Sequence, residues 1–166
     1  MAKVIILSRK FPAYHKKAGK DTYFVEGFLK GLPEIENYKV PTDLFSEISL
    51  ALDIWQTLMP KYHTIRAGKR FKPGDKFSPR IWAGKPYRSK QIIIAPDIEV
   101  KKTWDIEIAI GMEGINLNGD WYFEHYKELL NTLSENDGLS VEDFESWFNK
   151  PSFVGQIICW NEKVQY

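Results

Sequence analysis

The sequence predicts an α+β domain built on a small, partly closed β-barrel. About six short segments have the apolar runs or the alternation of β-strands, and about four have the apolar spacing of helices. The order of these segments is not the regular strand–helix alternation of a parallel α/β fold. The chain has 166 residues, 43% of them hydrophobic, which is enough for one domain with a single core.

The first 33 residues are predicted to form a strand, a polar loop and a helix. Lys3–Ser8 contains a continuous apolar run, which is typical of a short buried strand. Asp21 is placed to cap the helix, and Gly31 and Pro33 are expected to end it. The apolar face of this helix consists of Phe24, Val25, Phe28 and Leu29.

A second helix is predicted from Thr42, and Pro60 ends the segment that contains it. The apolar residues that recur there at helical spacing are Leu44, Phe45, Ile48, Ala51, Leu52 and Trp55.

Short strands joined by tight turns are predicted after Pro60. Pro73 and Gly74 suit the two central positions of a type II turn, so a strand is expected over 76–82. A second apolar strand is expected over 91–95. From 104 to 110 apolar residues alternate with polar or small ones, as in a strand with one buried face, and a hairpin then leads into 115–117.

Two further helices and a closing strand complete the predicted domain. Asp120 is expected to cap the first helix, on which His125 points away from the apolar side. Ser140 is expected to cap the second, with Leu139 and Phe144 packed across the cap as a hydrophobic staple. The closing strand is predicted over 155–160.

The charge of the chain is concentrated in residues 61–90, the basic segment. The whole chain has 23 basic and 22 acidic residues, yet this segment has ten basic residues against one acid, Asp75, a net charge of +9. The ten are Lys61, Arg66, Lys69, Arg70, Lys72, Lys76, Arg80, Lys85, Arg88 and Lys90. Uncompensated like charges cost stability unless a partner uses them, so a binding role is indicated.

Aromatic residues interleave with these cations, which favours a nucleic-acid partner. Cations meet phosphates, and flat side chains stack on exposed bases. Trp82 and Tyr87 each adjoin a turn, so they are the candidates for base stacking. The alternative is that the aromatics form the buried face of the strands and the lysines their solvated face.

Several classes of protein are not supported by the composition. No apolar run approaches the roughly 20 residues of a membrane span, and the N-terminus has no cleavable signal. Cys159, the single cysteine, lies in an apolar run, which predicts a buried structural thiol and a cytoplasmic location. No metal or other cofactor is predicted, because the three histidines lack zinc-ligand spacing.

Three motifs resemble those of ASCH domains, members of the PUA-like superfamily. They are Lys-Tyr-His-Thr-Ile-Arg at 61–66, Gly-Asp at 74–75 and Asp-Gly-Leu-Ser at 137–140. The resemblance covers mainly residues 60–110 and 134–161. It implies a small PUA-like β-barrel with flanking helices and a cleft for RNA or a nucleotide. In a single domain of residues 1–166, residues 1–58 are then an N-terminal extension packed on a barrel core of residues 60–166.

Some small ASCH proteins remove the acyl group from N4-acetylcytidine with a lysine, a threonine and a glutamate. The resemblance places these roles on Lys61, Thr64 and Asp137, where aspartate is one methylene shorter than glutamate. A neutral Lys61 would activate Thr64, with Arg66 and Lys69 disfavouring the charged amine, while Asp137 would protonate the leaving nitrogen.

Strand geometry limits this trio. Residues three apart in a strand face opposite sides, so Lys61 must lie in a turn before the strand if it is to meet Thr64. The alternative is a solvated turn lysine, an ordinary strand threonine and an aspartate that leads into a capped helix. His63 is a candidate base, or else an inward, hydrogen-bonded and inert residue.

The first functional hypothesis is therefore binding of RNA or a nucleotide or nucleoside in a basic cleft, with deacylation of N4-acetylcytidine-type nucleosides as the alternative. A third hypothesis is that the basic face docks an acidic protein. The candidate ligand-binding residues are His63, Arg66, Lys69, Arg70, Arg80, Trp82, Lys85, Tyr87 and Arg88.

Overall fold

The computed structural model describes residues 2–33 and 50–166, which form a mixed α+β fold with strands in two sheets. The first sheet has the order β1-β3-β4, and β5 also pairs with β3. β1 runs parallel to β3, whereas the other pairings are antiparallel. Its strands are β1 (Lys3–Ile6), β3 (Lys76–Trp82), β4 (Gln91–Ile93) and β5 (Ile98–Glu99).

The second sheet is entirely antiparallel, with the order β2-β9-β6-β7-β8. The alternation around 104–110 and the closing strand are confirmed, since both segments form central strands of this sheet. Its strands are β2 (His63–Ala67), β6 (Lys102–Ala109), β7 (Gly114–Leu117), β8 (Asp120–Tyr122) and β9 (Phe153–Cys159).

No strand pairing joins the two sheets within residues 2–33 and 50–166, so the α+β class is confirmed but a closed barrel is not shown. The edge strands β1 and β2 are linked by a side chain instead. The Arg66 guanidinium donates from Nη2 to the carbonyl oxygen of Ile6.

Helix α1 (Phe24–Lys30) forms where predicted, but Asp21 does not cap it. The N-cap residue is Tyr23, and the Phe24 amide donates to the hydroxyl of Thr22 at 3.2 Å. Asp21 pairs instead with Lys10 at 2.7 Å. The Asp21 carboxylate thus contacts a loop lysine and not the amides of the helix N-terminus.

The helix predicted from Thr42 falls mostly outside the described residues. Its last part is described, and there Leu52–Thr57 forms a 3₁₀ helix. None of the helices in the described ranges has the length and apolar character needed to cross a bilayer.

Asp120 begins strand β8 and does not cap a helix, so that prediction is wrong. Helix α2 (Tyr126–Asn136) begins six residues later, and Phe123 is exposed. The prediction used only the helical spacing of apolar residues after Asp120. In the structure, the backbone of β8 pairs with β7 instead. His125 is exposed, as expected.

Helix α3 (Val141–Trp147) confirms the predicted capping of its first turn. The Ser140 hydroxyl accepts a hydrogen bond from the Asp143 amide at 3.2 Å. Leu139 and Phe144 are both buried, as a hydrophobic staple requires. This cap fixes the direction in which the chain leaves the end of α2.

The core between the first sheet and α1 is aromatic. The Trp160 ring lies 5.1 Å from that of Phe28 and 5.8 Å from that of Phe77. On the second sheet Ile106, Ile108 and neighbouring apolar residues are buried. Cys159 is also buried, as predicted, and burial raises the pKa of its thiol to about 11.

Candidate functional site

Gly27 of α1 and Gly31, its C-cap residue, bring the helix backbone against the chain just before β2, where Lys61 lies. The Lys61 amide donates to the carbonyl oxygen of Gly27 at 2.8 Å. A Cβ atom on Gly31 would lie only 2.1 Å from the Lys61 carbonyl oxygen. Lys61 therefore lies in the segment before the strand, as the strand geometry required, and α1 packs directly on it.

The end of α2 brings Asp137 to the same place. Gly138 has φ +74°, a left-handed conformation that favours glycine and ends the helix. A Cβ atom on Gly138 would lie 3.3 Å from the Lys61 Cβ, so the two segments are in contact. Asp137, the C-cap residue, is thus turned toward Lys61.

Lys61 and Asp137 form a buried pair. Only 1% of the Lys61 surface is exposed. Its Nζ donates to Asp137 Oδ1 and, at 2.8 Å, to the Asp137 carbonyl oxygen. The amine also lies 4.1 Å from the centroid of the Phe24 ring. The alternative of a solvated turn lysine does not describe this geometry.

Burial shifts both members of the pair toward their neutral forms. Desolvation lowers the pKa of Lys61, against the opposing effect of Asp137. It also raises the pKa of Asp137, against the opposing effects of Lys61 and Arg66. The positive charge of Arg66 lowers the pKa of Lys61 further, as the sequence predicted. A lowered pKa makes it easier for this amine to lose its proton, and the deprotonated amine is a proton acceptor.

His63 is completely buried beside the pair. Its Nδ1 lies 3.7 Å from Asp137 Oδ1, and its ring meets that of Tyr166 edge-on at 5.8 Å. Neither ring nitrogen makes a hydrogen bond of normal geometry with a described residue. Desolvation, and then the charge of Lys61, hold its pKa well below the usual value, although the Leu133 carbonyl has a small opposing effect. His63 is therefore neutral and inward-facing, without the expected hydrogen bond.

Thr64 is buried on β2 opposite Ile158. Its hydroxyl makes no hydrogen bond within the described ranges, and so none to Lys61 or Asp137. In an antiparallel pair directly opposite residues share a face, so Thr64 and Arg66 lie on the same face as Ile158 and Gln156. The structure thus joins Lys61 with Asp137 but does not place Thr64 in contact with them.

Arg66 is a half-buried cation without a carboxylate partner among the described residues. Its Nη2 bonds to the Ile6 carbonyl, and its Nε is enclosed without a hydrogen-bond partner. Desolvation lowers its pKa, while Asp137 raises it. A half-buried guanidinium whose Nε–H has no partner is suited to an anion.

A cavity of about 280 Å³, the arginine cavity, lies between the edges of β1 and β2. β1 forms one wall; the remaining lining includes Arg66, Arg70, Phe71, Tyr87, Gln156 and Ile158. Tyr87 is 89% exposed, and its ring lies 5.3 Å from that of Trp82. The Gln156 side chain bonds to both backbone groups of Phe71, at 3.1 and 2.9 Å.

The other cations proposed for the ligand do not line this cavity. Lys69 pairs with Asp105 at 2.6 Å. Arg80 bonds to the side chains of Ser78 and Gln91 at 3.0 and 3.2 Å. Lys85 and Arg88 are exposed on the turn that follows β3. The basic segment thus places Arg66 and Arg70 at one cavity and disperses the rest.

Phe24, Ile6 and Gln156 were not among the predicted site residues. Each acts through contacts made only in the folded chain, and their local sequence contains no sign of that role. The spacing of Gly27 and Gly31 on one helix face was the one available signal of a close approach to α1.

The fold and the site define a small α+β protein with a buried lysine–aspartate pair and an arginine-lined cavity. No model of a known protein family, no curated protein and no solved structure matches this chain. The similarity to ASCH domains therefore depends on the sequence motifs alone.

Proposed function

We propose that this chain is an ASCH-like domain that binds RNA or a nucleotide or nucleoside in the arginine cavity. The observation that supports this function is the convergence of Arg66, Arg70 and the exposed ring of Tyr87 on one cavity of about 280 Å³. Arg66, which bridges the edges of β1 and β2, also supports the partly closed PUA-like barrel.

The chemistry of the lining suits a phosphate joined to a flat base. Arg66 has an enclosed Nε without a partner and no ion pair with a described carboxylate, so a phosphate would supply what the fold leaves unsatisfied. Tyr87 presents a ring face to solvent, on which a base can stack. Arg70 is exposed and adds a second positive charge.

The salt dependence of binding tests this proposal. Hexacytidylate is the probe, and the variant Arg70→Ala is compared with Lys127→Ala, an exposed lysine on α2. Loss of one phosphate contact lowers the log–log salt slope by about 0.7 for a single strand. We expect that change for Arg70→Ala and none for Lys127→Ala. A slope near zero for the unmodified protein would contradict the proposal, and co-purification with an acidic protein would favour the docking hypothesis.

A second candidate function, deacylation of an N4-acylated cytosine nucleoside, is favoured by the buried pair. This route requires a movement that brings Thr64 Oγ1 within hydrogen-bond distance of Lys61 Nζ, which bonds to Asp137 in the structure. Lys61 Nζ then takes the proton of Thr64 Oγ1, and Oγ1 bonds to the acyl carbon. The bond from that carbon to N4 breaks, and N4 receives the proton of the neutral Asp137 carboxyl. Water then hydrolyses the threonine ester, releases the acid and restores the protons. The pKa shifts of Lys61 and Asp137 favour the protonation states that this route needs.

Incubation with N4-acetylcytidine tests this second function. The variant Thr64→Val keeps the size of the side chain and removes the nucleophile, so it should abolish cytidine release without unfolding the protein. Thr64→Ser should retain part of the activity. Absence of cytidine where a known deacylase is active would exclude this function, and full activity of Thr64→Val would exclude Thr64 as nucleophile.

A further inference from the structure

The outer edge of β2 has backbone groups that no other strand in residues 2–33 and 50–166 uses. β2 is the last strand of the second sheet. The Trp160 amide donates to the Tyr62 carbonyl at 3.2 Å, which fixes the pairing phase with β9. In an antiparallel pair, alternate residues direct their backbone N–H and C=O groups at the partner strand. The backbone groups of Thr64 and Arg66 therefore point toward β9, and those of Ile65 and Ala67 point away from it.

A groove of about 430 Å³, the edge groove, is lined by residues of β2 together with residues of the N-terminal loop, of α3 and of β9. Its lining includes Ile65, Ala67, Tyr14, Trp147, Phe153 and Lys150. No loop backbone group or side chain in the described part of the chain bonds to the outward groups of Ile65 and Ala67. The groove is thus lined by aromatic side chains and by two residues of β2 whose outward main-chain groups have no partner among the described residues.

The Trp147 wall is held in place by packing. Its ring lies 5.4 Å from the ring of Phe24, 5.8 Å from Phe11 and 6.1 Å from His15. His15 Nε2 donates to the carbonyl oxygen of Asp143 at 2.9 Å, which anchors the N-terminal loop to α3. Tyr14, in that loop, is 56% exposed at the groove. A prepositioned ring beside an exposed ring is suited to stacking.

These features favour a nucleobase over a peptide strand. A base stacks on aromatic rings and forms hydrogen bonds in its own plane, which Ile65 and Ala67 can supply. Lys150 is exposed and has no ion pair with a described residue, so it is available to a phosphate. An added peptide strand needs a longer free edge than the five residues of β2 provide.

We propose that the edge groove is a second nucleobase subsite, so that the ligand is a single-stranded segment of at least two nucleotides. The inference rests on the proposed binding function of the arginine cavity. Arg66 and Ala67 line both cavities, so the two cavities are adjacent near the end of β2. Arg66 is placed for the phosphate between the two bases.

The affinities of CMP and of the dinucleotide CpC test the second subsite. CpC has a second base but no greater negative charge, so a gain in affinity reports the added base. Stacking of one base increases affinity about 5- to 150-fold, and we expect CpC to bind tighter than CMP by a factor in that range. Tyr14→Ala should remove this gain and leave the affinity for CMP unchanged. Phe123→Ala, an exposed aromatic outside both cavities, should change neither.

Each outcome separates the two proposals. Equal affinities for CMP and CpC would overturn the second subsite and leave the arginine cavity in place. Binding of neither probe at low salt would overturn both. A gain that survives the double variant Tyr14→Ala, Lys150→Ala would place the second base elsewhere. If a peptide but not CpC shifts the amide resonances of Ile65 and Ala67, the groove is a peptide site and the inference is wrong.

Discussion

Replacing Gly31 with alanine should destabilise the protein through the contact between α1 and Lys61. The added Cβ would lie 2.1 Å from the carbonyl oxygen of Lys61 and 2.8 Å from its carbonyl carbon. These are backbone atoms, so no side-chain rotation relieves the overlap. The backbone of Gly31 has φ −84°, which alanine adopts easily, so the effect isolates packing from backbone strain.

The magnitude follows from two opposing effects. Overpacking of a core contact costs about 1–3 kcal/mol, and the severity of this overlap places it at the upper end. The gain in helix propensity from glycine to alanine is at most about 1 kcal/mol. We therefore expect the free energy of unfolding to fall by about 2 kcal/mol, measured by urea denaturation.

Two other glycines provide the comparison. Gly27→Ala would place its Cβ 3.0 Å from the Met59 carbonyl oxygen, so its destabilisation should be smaller. Gly111→Ala meets no atom within 4 Å and should change stability little. The expected order of destabilisation is Gly31, Gly27, Gly111. A Gly31→Ala protein as stable as the Gly111→Ala control would refute the close packing of α1 on Lys61.

Three further predictions concern stability and reactivity. Burial holds the pKa of His63 well below its unfolded value, so the unfolded chain binds more protons as pH falls through about 6.5. Stability should therefore rise with pH through that region by up to about 1.4 kcal/mol per pH unit, and urea titrations of a His63→Leu protein should lose this dependence. Ser140→Ala should cost about 1 kcal/mol in urea unfolding, since it removes the cap of α3, whereas Ser140→Asp should retain most of the stability. Cys159 is buried with a pKa raised to about 11, so a thiol reagent at pH 8 should label it only after denaturant is added. Rapid labelling of the native protein would contradict that burial.

Features that depend on residues close together along the chain could be predicted from the sequence. The Ser140 cap involves an amide three residues away, and the apolar alternation before Gly111 reports directly which side of β6 is buried. Predictions failed where two local patterns compete. The aromatic residues after Asp120 are compatible with a helix or a strand. They form strand β8 because its backbone pairs with that of β7.

The candidate site could be predicted only in part, for the same reason. The basic segment identified Arg66 and Arg70, but nothing local indicates that Lys69 is paired with Asp105 while Arg66 has no carboxylate partner among the described residues. His63 was open to two interpretations, and its complete burial was decided by packing against Tyr166 and the end of α2.

By itself the sequence determined the mixture of strands and helices and the concentration of positive charge in residues 61–90. These properties follow from the periodicity of apolar residues and from the amino-acid composition. Tertiary structure alone decided which charges meet. Lys61 and Asp137 are 76 positions apart, and their pairing depends on the packing of α1 and α2 around the chain before β2. Burial in that contact removes water, and this desolvation makes an ordinary lysine and aspartate into a candidate proton-transfer pair.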